Sequence, residues 1–309
     1  MNILLIGGNG FLGKSLSEHI SRKSRNKIFI MDRNYNDQIS DSSQFIGSLE
    51  DSKFVSNIFQ KIEPDIIYFF ITKFSIPSEK DLEHAKNIST VIIKNIFNYI
   101  NKKSKIVYIS SSAVYGDVPQ KYQPVEESIA LNPISRYGKL KTYEESIFTK
   151  LSQKYKVNLI IARIFNITGP NEPKRMIGGS ITSQLLESRN LQLGNLFPKR
   201  DFTDIRDVVY ALYLIGRKGE NSSCYNICSG KLITIKSLLN MIIEELNLDN
   251  TPKIIRKKER VNPFEITELL GSNKKIIKLG WRQNYMIKSS IKNLVKSYKG
   301  RKVGRILEK

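Results

Sequence analysis

Three residue types near the middle of the chain could move a proton on and off a substrate oxygen while a hydride moves at the attached carbon. Ser110 to Ser112 end an apolar segment, and Tyr137 and Lys141 follow downstream, four positions apart. On a helix this spacing puts an ammonium beside a phenol and lowers the tyrosine pKa from about 10 toward neutrality, as a general base requires. A serine hydroxyl from the preceding run would be a fixed hydrogen-bond donor for the same oxygen.

The N-terminus has the pattern of a site for the hydride carrier. An apolar run from Asn2 to Ile6 leads into GGNGFLG at residues 7–13, and a helical pattern follows over Lys14 to Ser21. Residues 8–13 satisfy G-x-G-x-x-G, which permits a tight turn and close approach of the backbone to a pyrophosphate. The N–H groups at the start of the helix favour the negative charge of that group. We therefore predict that a dinucleotide contacts Gly7, Gly10, Phe11, Leu12 and Gly13.

An acidic residue at the end of the second apolar run bears on the choice of dinucleotide. The run from Lys27 to Met31 is followed by Asp32, which lies 19 residues after Gly13. An acid about 20 residues after the glycines accepts hydrogen bonds from the adenosine ribose, so NAD is favoured. Arg33 comes next, and an arginine there suits the 2′-phosphate of NADP, so both cofactors stay open.

Apolar runs and helical patterns alternate along the first half of the chain. Strands are predicted at 2–6, 27–31, 44–49, 65–71, 105–109 and 159–164, and helices at 14–21, 52–61, 79–101 and 135–154. This alternation predicts an α/β fold, a doubly wound parallel (Rossmann) sheet over residues 1–165, with returning segments near 205–230. Beyond Gly169-Pro170 the pattern is irregular, with helices predicted at 207–215 and 234–246. Residues 166–309 are predicted to form mainly a smaller α/β lobe that binds substrate.

The composition excludes several classes of function. The 309 residues include 50 Lys and Arg against 29 Asp and Glu, a net charge of +21, but the lysines are scattered and no nucleic-acid-binding motif accompanies them. Two cysteines and two histidines without ligand spacing predict no metal site and no disulfide framework. No apolar run approaches the ~18 residues of a membrane span. We expect a cytoplasmic protein that contacts neither nucleic acid nor membrane.

Several motifs together resemble the extended short-chain dehydrogenase/reductase family, which includes nucleotide-sugar epimerases, dehydratases and reductases. The resemblance covers nearly the whole chain. It rests on the glycine turn, on Tyr137 and Lys141, and on the motifs SSSAVYG at 110–116, ARIFNITGP at 162–170, KRDFTDIRDVV at 199–209, YNICSG at 225–230 and LGW at 279–281. A combination of this kind is more specific than any of its parts.

The resemblance implies a role for each candidate residue. Ser111, which lies four positions before Tyr115, would bind the reacting sugar oxygen. Tyr137 would be the acid or base, and Lys141 would hold the nicotinamide ribose. The implied substrate is a nucleoside diphosphate sugar. Its contacts would be Ser112, Asn166, Arg200 and Arg260, and the planar fork of Arg200 suits a diphosphate. Many family members pair through two long helices, so we expect a homodimer.

The sequence favours one reaction within this family. Sugar 4,6-dehydratases have an Asp-Glu pair directly after the catalytic hydroxyl, and this chain has Ser112 and Ala113 there, which argues against dehydration. The segment GNLFPKRDF at 194–202 resembles GDP-4-keto-6-deoxymannose reductases and their GDP-mannose dehydratase relatives, which favours a 4-keto reductase. A 4-epimerase with retained NAD would use the same residues. A further alternative, an inactive cofactor-binding scaffold or sensor, is disfavoured by the intact Ser, Tyr and Lys.

Overall fold

The computed structural model describes residues 1–23, 26–37, 39, 43–73, 75–188, 190–248, 253–256 and 266–307. The strands are β1 (Asn2–Ile6), β2 (Lys27–Asp32), β3 (Ser43–Ile46), β4 (Ile66–Phe69), β5 (Lys105–Ser111), β6 (Asn158–Ile164), β7 (Asn166–Thr168), β8 (Asn190–Leu193), β9 (Lys199–Asp204), β10 (Ser223–Ile227), β11 (Leu232–Thr234), β12 (Lys253–Arg256) and β13 (Glu268–Leu269). The helices are α1 (Phe11–Ser21), α2 (Ser52–Ile62), α3 (Glu79–Tyr99), α4 (Arg136–Tyr155), α5 (Ile177–Glu187), α6 (Ile205–Lys218), α7 (Ile235–Leu246), α8 (Lys274–Lys278) and α9 (Ile287–Leu307).

The main sheet is parallel throughout the described residues. Its strand order is β10-β6-β5-β4-β1-β2-β3. The chain runs outward from β1 to β3 and then returns to β4 on the other side of β1, so the strand order reverses between β1 and β4. In open α/β sheets the ligand crevice lies at this reversal, outside the carboxyl ends of the strands. The predicted doubly wound α/β fold is confirmed.

Both faces of the main sheet are covered because successive residues of a strand point in opposite directions. In β1, Ile3 and Leu5 pack in a cluster with α1 and α6, whereas Leu4 and Ile6 pack in a second cluster with α2, α3 and α4. All four side chains are at most 1% exposed. Burial of each contributes about 1.5–3 kcal/mol to folding. Two-sided burial is why this strand is a continuous apolar run in the sequence.

A smaller group of strands and helices lies beyond β6. Strand β9 pairs with β7, β11 and β13, and β8 pairs with β12. Helices α5, α7 and α9 pack around a separate apolar cluster that includes Leu185, Leu238 and Leu294. Strand β9 ends at Asp204 and α6 begins at the next residue, so a strand of the smaller group leads directly into a helix of the main sheet.

Two helices begin earlier than the sequence pattern predicts. Helix α1 begins at Phe11 and not at residue 14, because the Lys14 amide donates to the Gly10 carbonyl at 2.9 Å and the glycine turn is itself the first turn of the helix. Helix α6 begins at Ile205, and its cap is Asp204, whose carboxylate accepts from the Arg206 amide at 2.8 Å. The expectation that this helix starts at Asp207 is therefore wrong.

Within the described ranges, no helix is long and apolar enough to cross a membrane, and no group of three or more His, Cys, Asp and Glu side chains is placed to bind a metal ion. Cys224 and Cys228 are free thiols. Burial raises the pKa of Cys224 to about 12 and that of Cys228 further above its usual value. Both side chains therefore remain thiols at neutral pH.

A buried carboxylate connects β7 to α5. The Glu172 side chain is 0% exposed. It accepts hydrogen bonds from the Thr168 hydroxyl at 2.8 Å and from the Gly179 amide at 3.1 Å. Burial raises the pKa of Glu172 to about 7, although these hydrogen bonds act in the opposite direction. The folded chain thus keeps a proton on Glu172 in a pH range where an exposed glutamate has lost it.

This proton makes the stability of the fold depend on pH. Between the ordinary pKa of 4.5 and about 7, the folded state binds more protons than the unfolded state, so the free energy of unfolding should fall as pH rises through this range. Glu172→Gln is neutral at every pH, and we expect it to lose this part of the dependence. Urea unfolding of both proteins at several pH values between about 5 and 8 tests this. Parallel pH dependences would contradict it.

Candidate active site

A cleft of about 1360 Å³ lies at the reversal of strand order. It is lined by the predicted cofactor and catalytic residues Gly7, Gly10, Phe11, Leu12, Gly13, Asp32, Arg33, Ser111, Tyr137 and Lys141, and by the predicted substrate contact Asn166. These residues are far apart in the sequence. They meet because β1, β2 and β5 all end at the same edge of the parallel sheet, where α1 also begins.

The glycine turn between β1 and α1 has no room for a larger residue at Gly7 or Gly13. Gly7 has a φ of +76°, which side-chain-bearing residues rarely adopt, and a Cβ there would lie 2.8 Å from the Ile71 side chain. A Cβ on Gly13 would lie 2.6 Å from both the Cα and the carbonyl oxygen of Gly8. Helix α1 therefore packs closely on the turn, and its first residues line the cleft. A helix N-terminus in this position can bind a pyrophosphate.

The Asp32 carboxylate is fixed at the end of β2. One oxygen accepts from the Asn9 amide at 3.0 Å, and the other accepts from the Arg33 amide at 2.7 Å. The Asn9 side chain in turn donates to the Asn34 carbonyl and to Gln44. The Arg33 guanidinium points to Glu50 at 3.3 Å, with the two side chains 61% and 43% exposed. Asp32 therefore lies at the glycine turn, whereas Arg33 forms a hydrated surface pair that contributes little to stability.

Ser111 and Tyr137 meet at the other end of the cleft. Ser111 is the last residue of β5, and Tyr137 lies in the first turn of α4, which Ser135 caps by accepting from the Gly138 amide at 3.0 Å. The Ser111 hydroxyl hydrogen-bonds the Tyr137 phenol. This hydroxyl also accepts from the Ala113 amide at 3.2 Å, which fixes its position. The two hydroxyl groups can therefore reach one substrate oxygen together.

Lys141 lies one helical turn after Tyr137 and is 1% exposed. Its ammonium donates to the Ile109 carbonyl at 2.8 Å and to the Tyr108 hydroxyl at 3.1 Å. It also forms an ion pair with Glu144 at 3.2 Å. The three N–H groups of the ammonium thus have three acceptors within the protein. Burial lowers the pKa of Lys141, and the adjacent Glu144 carboxylate opposes this effect.

The pKa of Tyr137 differs from the sequence-based expectation. Burial raises it, Glu144 raises it further, and the hydrogen bond from Ser111 lowers it only in part. The expectation of a lowered value assumed that the charge of Lys141 acts alone. In the folded chain Lys141 is paired with the Glu144 carboxylate, which itself raises the pKa of Tyr137, and desolvation of the phenol is the largest effect.

Of the predicted substrate contacts that the structure describes, only Asn166 is found in the lining of the cleft. Asn166, in β7, lines the cleft, whereas Arg200 and Ser112 are not part of its lining. Arg200 is two residues before Phe202 in β9, so both side chains point to the same face of that strand, and Phe202 does line the cleft. Ser112 is buried at the start of a short turn after β5. Arg260 lies outside the described residues.

The sequence did not point to three residues that line the cleft or to one that lies behind it. Asn9 and Thr72 carry side-chain oxygens that are buried and have no hydrogen-bond partner among the described residues. Arg175 lines the cleft just before α5. Glu144 lies behind Lys141 and touches its ammonium. Only Glu144 had a usable sequence signal, because it lies three residues after Lys141 and so shares its helix face.

The geometry agrees with comparisons to known proteins. The family described as GDP-mannose 4,6 dehydratase matches residues 4–294. The chain belongs to this family. Its members are extended short-chain dehydrogenases/reductases, and nucleotide-sugar reductases, dehydratases and epimerases are among the relatives of the chain.

The individual relatives of this chain within and around the family are distant in sequence. The GDP-6-deoxy-D-mannose reductase of Pseudomonas aeruginosa is 26% identical over 202 residues, which cover 63% of this chain and 66% of that protein. The match therefore spans just under two thirds of the relative's length. The solved UDP-glucose 4-epimerase of Thermus thermophilus, in complex with NAD, has a TM-score of 0.87 at 20% identity and covers 97% of this chain and 99% of that one. RMD from Pseudomonas aeruginosa, complexed with NADPH, has a TM-score of 0.83 at 21% identity, covering 97% and 100%. At these identities the structures establish the shared fold.

The position of Asp32 predicts which dinucleotide binds more tightly. A fixed carboxylate at the end of β2 repels a 2′-phosphate, so we expect NADH to bind more tightly than NADPH. Asp32→Asn keeps a hydrogen-bond acceptor and removes the charge, and the ratio of the two dissociation constants should move about tenfold toward NADPH. Fluorescence titration with each reduced dinucleotide measures this ratio. In the double variant Asp32→Asn/Arg33→Ala, the ratio should move back toward NADH. An unchanged ratio in Asp32→Asn would contradict the prediction that Asp32 faces the adenosine ribose.

Proposed function

We propose that this chain is an NAD(P)-dependent oxidoreductase that reduces a nucleoside diphosphate sugar, specifically a GDP-linked 4-keto-6-deoxy sugar. The observation that supports this direction is the state of Tyr137, whose pKa is raised by burial and by Glu144. A phenol that keeps its proton acts as an acid, and reduction of a ketone needs an acid at the carbonyl oxygen. The similarity to the GDP-6-deoxy-D-mannose reductase of P. aeruginosa supports the substrate class.

The cleft fits a dinucleotide at its glycine end. There is no space for a Cβ on Gly7 or Gly13. The unpartnered oxygens of Asn9 and Thr72 would accept hydrogen bonds from a polar ligand. The glycine turn would hold the pyrophosphate and Asp32 the adenosine ribose. Lys141 would hold the nicotinamide ribose, for which its ammonium would give up one of its three acceptors within the protein. When bound, NAD(H) or NADP(H) supplies the hydride, and Asp32 favours NAD(H).

The proton follows a short route from the protein to the substrate. Tyr137 donates its phenolic proton to the sugar oxygen at C4 as the carbonyl is reduced to an alcohol. The Ser111 hydroxyl donates a hydrogen bond to the same oxygen and stabilises the charge that develops there. The resulting Tyr137 phenolate lies on the same helix face as the Lys141 ammonium and regains a proton from solvent.

Residues 1–165, with the returning segments near 205–230, form the cofactor part of this proposal, and residues 166–309 mainly form the substrate part. Asn166 and the exposed Arg175 both line the cleft and lie far from the glycine turn in the sequence. We propose that Asn166, Ser112, Arg200 and Arg260 contact the nucleotide sugar. Dehydration is disfavoured because Ala113, directly after Ser112, has no group that can transfer a proton.

A reduced-cofactor assay tests the proposed reaction. We expect stoichiometric loss of NADH or NADPH absorbance when the protein is mixed with GDP-4-keto-6-deoxymannose. Tyr137→Phe keeps the ring and removes the proton donor, so it should lower kcat by about 10²–10⁴-fold while the reduced cofactor still binds.

The other functions give different results in the same assay. An epimerase would consume no added cofactor and would release tightly held NAD on denaturation. An inactive scaffold would bind cofactor and turn over neither kind of substrate. Either result would remove the reductase assignment.

We also propose that two copies pair through α3 and α4, which pack side by side. Val91 on the outer side of α3 is 45% exposed, and Tyr99 is 37% exposed. Exposed apolar side chains on α3, beside α4, suit a helical interface between copies. We expect light scattering to give the mass of a dimer. Val91→Glu should shift the chain toward monomer, whereas Met286→Glu, at an exposed apolar residue of another surface, should not. A monomeric wild-type protein would contradict this proposal.

A further inference from the structure

An acidic side chain, that of Glu144, is buried directly behind the candidate catalytic residues. Glu144 is 1% exposed and lies on the same face of α4 as Tyr137 and Lys141. One carboxylate oxygen accepts from the Tyr108 hydroxyl at 2.6 Å and lies 3.2 Å from the Lys141 ammonium. The other accepts from the Ser89 hydroxyl of α3 at 2.7 Å. A buried carboxylate is stable only when its oxygens have hydrogen-bond or ion-pair partners, and both oxygens of Glu144 have them.

We propose that Glu144 is a positioning residue of the active centre: as the buried counter-ion of Lys141, it cancels the positive charge at the Tyr137 end of the cleft and keeps Tyr137 a proton donor. The part that concerns the direction of proton transfer rests on the proposed reductase function. The cancellation of charge is a property of the folded chain and does not depend on the substrate.

The contacts fix the carboxylate and the ammonium relative to each other. Glu144 is held by α3 through Ser89 and by β5 through Tyr108, so it cannot turn away from Lys141. Lys141 is held by the Ile109 carbonyl of the same strand. The ammonium thus faces the cleft as one end of a fixed ion pair, and the field of such a pair falls off faster with distance than the field of a single charge.

The other charged and titratable groups around the pair leave its balance unchanged. Glu145, the next residue of α4, is paired with Arg163 of β6 at 2.7 Å. Tyr108 is neutral, because burial raises its pKa well above the usual value. On α3, Lys86 pairs with Glu83 at 2.7 Å, Lys94 lies five residues after Ser89, and His84 lines the same cleft. Lys141 and Glu144 therefore determine the charge behind Tyr137.

The net charge at the Tyr137 end of the cleft can be measured by comparing the binding of oxidised and reduced nicotinamide. Oxidised nicotinamide is cationic and reduced nicotinamide is neutral, so a net positive charge at this end of the cleft weakens binding of NAD⁺ relative to NADH. In Glu144→Gln the ammonium loses its counter-ion. We expect the ratio of the NAD⁺ to the NADH dissociation constant to rise at least about threefold at about pH 6.

The pH dependence of this ratio identifies the charge responsible. In Glu144→Gln, burial lowers the pKa of Lys141 without an opposing carboxylate, so, as the pH is raised from about 6, the ammonium should lose its proton earlier than an exposed lysine does. The ratio should then return to the wild-type value. In the wild-type protein we expect a ratio that changes little over this range. A purely structural role for Glu144 would change both affinities equally and would leave the ratio unchanged at every pH.

Two matched variants complete the experiment, which uses calorimetric titration without any sugar. Ser89→Ala removes a hydrogen bond from Glu144 but no charge, and its ratio should match the wild type. The double variant Lys141→Gln/Glu144→Gln removes both charges and leaves no unpaired buried ion, so it avoids the main reason for Glu144→Gln to misfold. Its ratio should also match the wild type within about twofold, since the pair is already neutral. A ratio that falls several-fold in the double variant, or that stays constant in Glu144→Gln, would overturn the proposal. If NADP⁺ and NADPH bind more tightly than NAD⁺ and NADH, the same ratios are measured with NADP⁺ and NADPH.

Discussion

The ammonium of Lys141 is held almost completely out of water, and the surroundings of the active centre are arranged to satisfy it. Desolvation of a single charge disfavours the folded state by several kcal/mol unless acceptors replace the lost water. The chain supplies a backbone carbonyl from β5, a phenol from the same strand and the Glu144 carboxylate from α4. Each acceptor is therefore a condition for keeping a charged lysine beside Tyr137.

These contacts also fix the register between α4 and β5. Because Lys141 binds the Ile109 carbonyl, the helix cannot slide along the strand without breaking a buried charged hydrogen bond. Tyr137 lies one helical turn before this anchor, and Ser111 lies two residues after Ile109 in the strand. The hydrogen bond between Ser111 and Tyr137 follows from that register. The relative positions of the three catalytic candidates thus depend on one strand–helix contact.

Local patterns in the sequence predicted those parts of the molecule that depend on local chemistry. The glycine turn, the apolar parallel strands and the spacing of Tyr137 and Lys141 are of this kind. The start of α6 was wrong because Asp204 and Asp207 are both plausible caps in sequence, and only the fold shows that Asp207 instead accepts from the amides of Asn284 and Tyr285. The direction of the Tyr137 pKa was wrong because burial is a tertiary property. Glu144 has the sequence pattern of a surface residue that pairs with Lys141 three positions away, and nothing local indicates that α3 covers it.

The direct passage from β9 into α6 has a mechanical consequence. Phe202, on β9, forms part of the cleft wall, and α6 packs through Val208 and Leu212 into the core beneath the main sheet. With no loop between strand and helix, this side of the wall is anchored to the core as one rigid unit. The segment from Asn171 to Met176, which connects β7 to α5 and carries Arg175 at the cleft, is held by the buried Glu172 side chain through its hydrogen bonds to Thr168 and Gly179. Both segments of the cleft wall are thus fastened to buried parts of the fold.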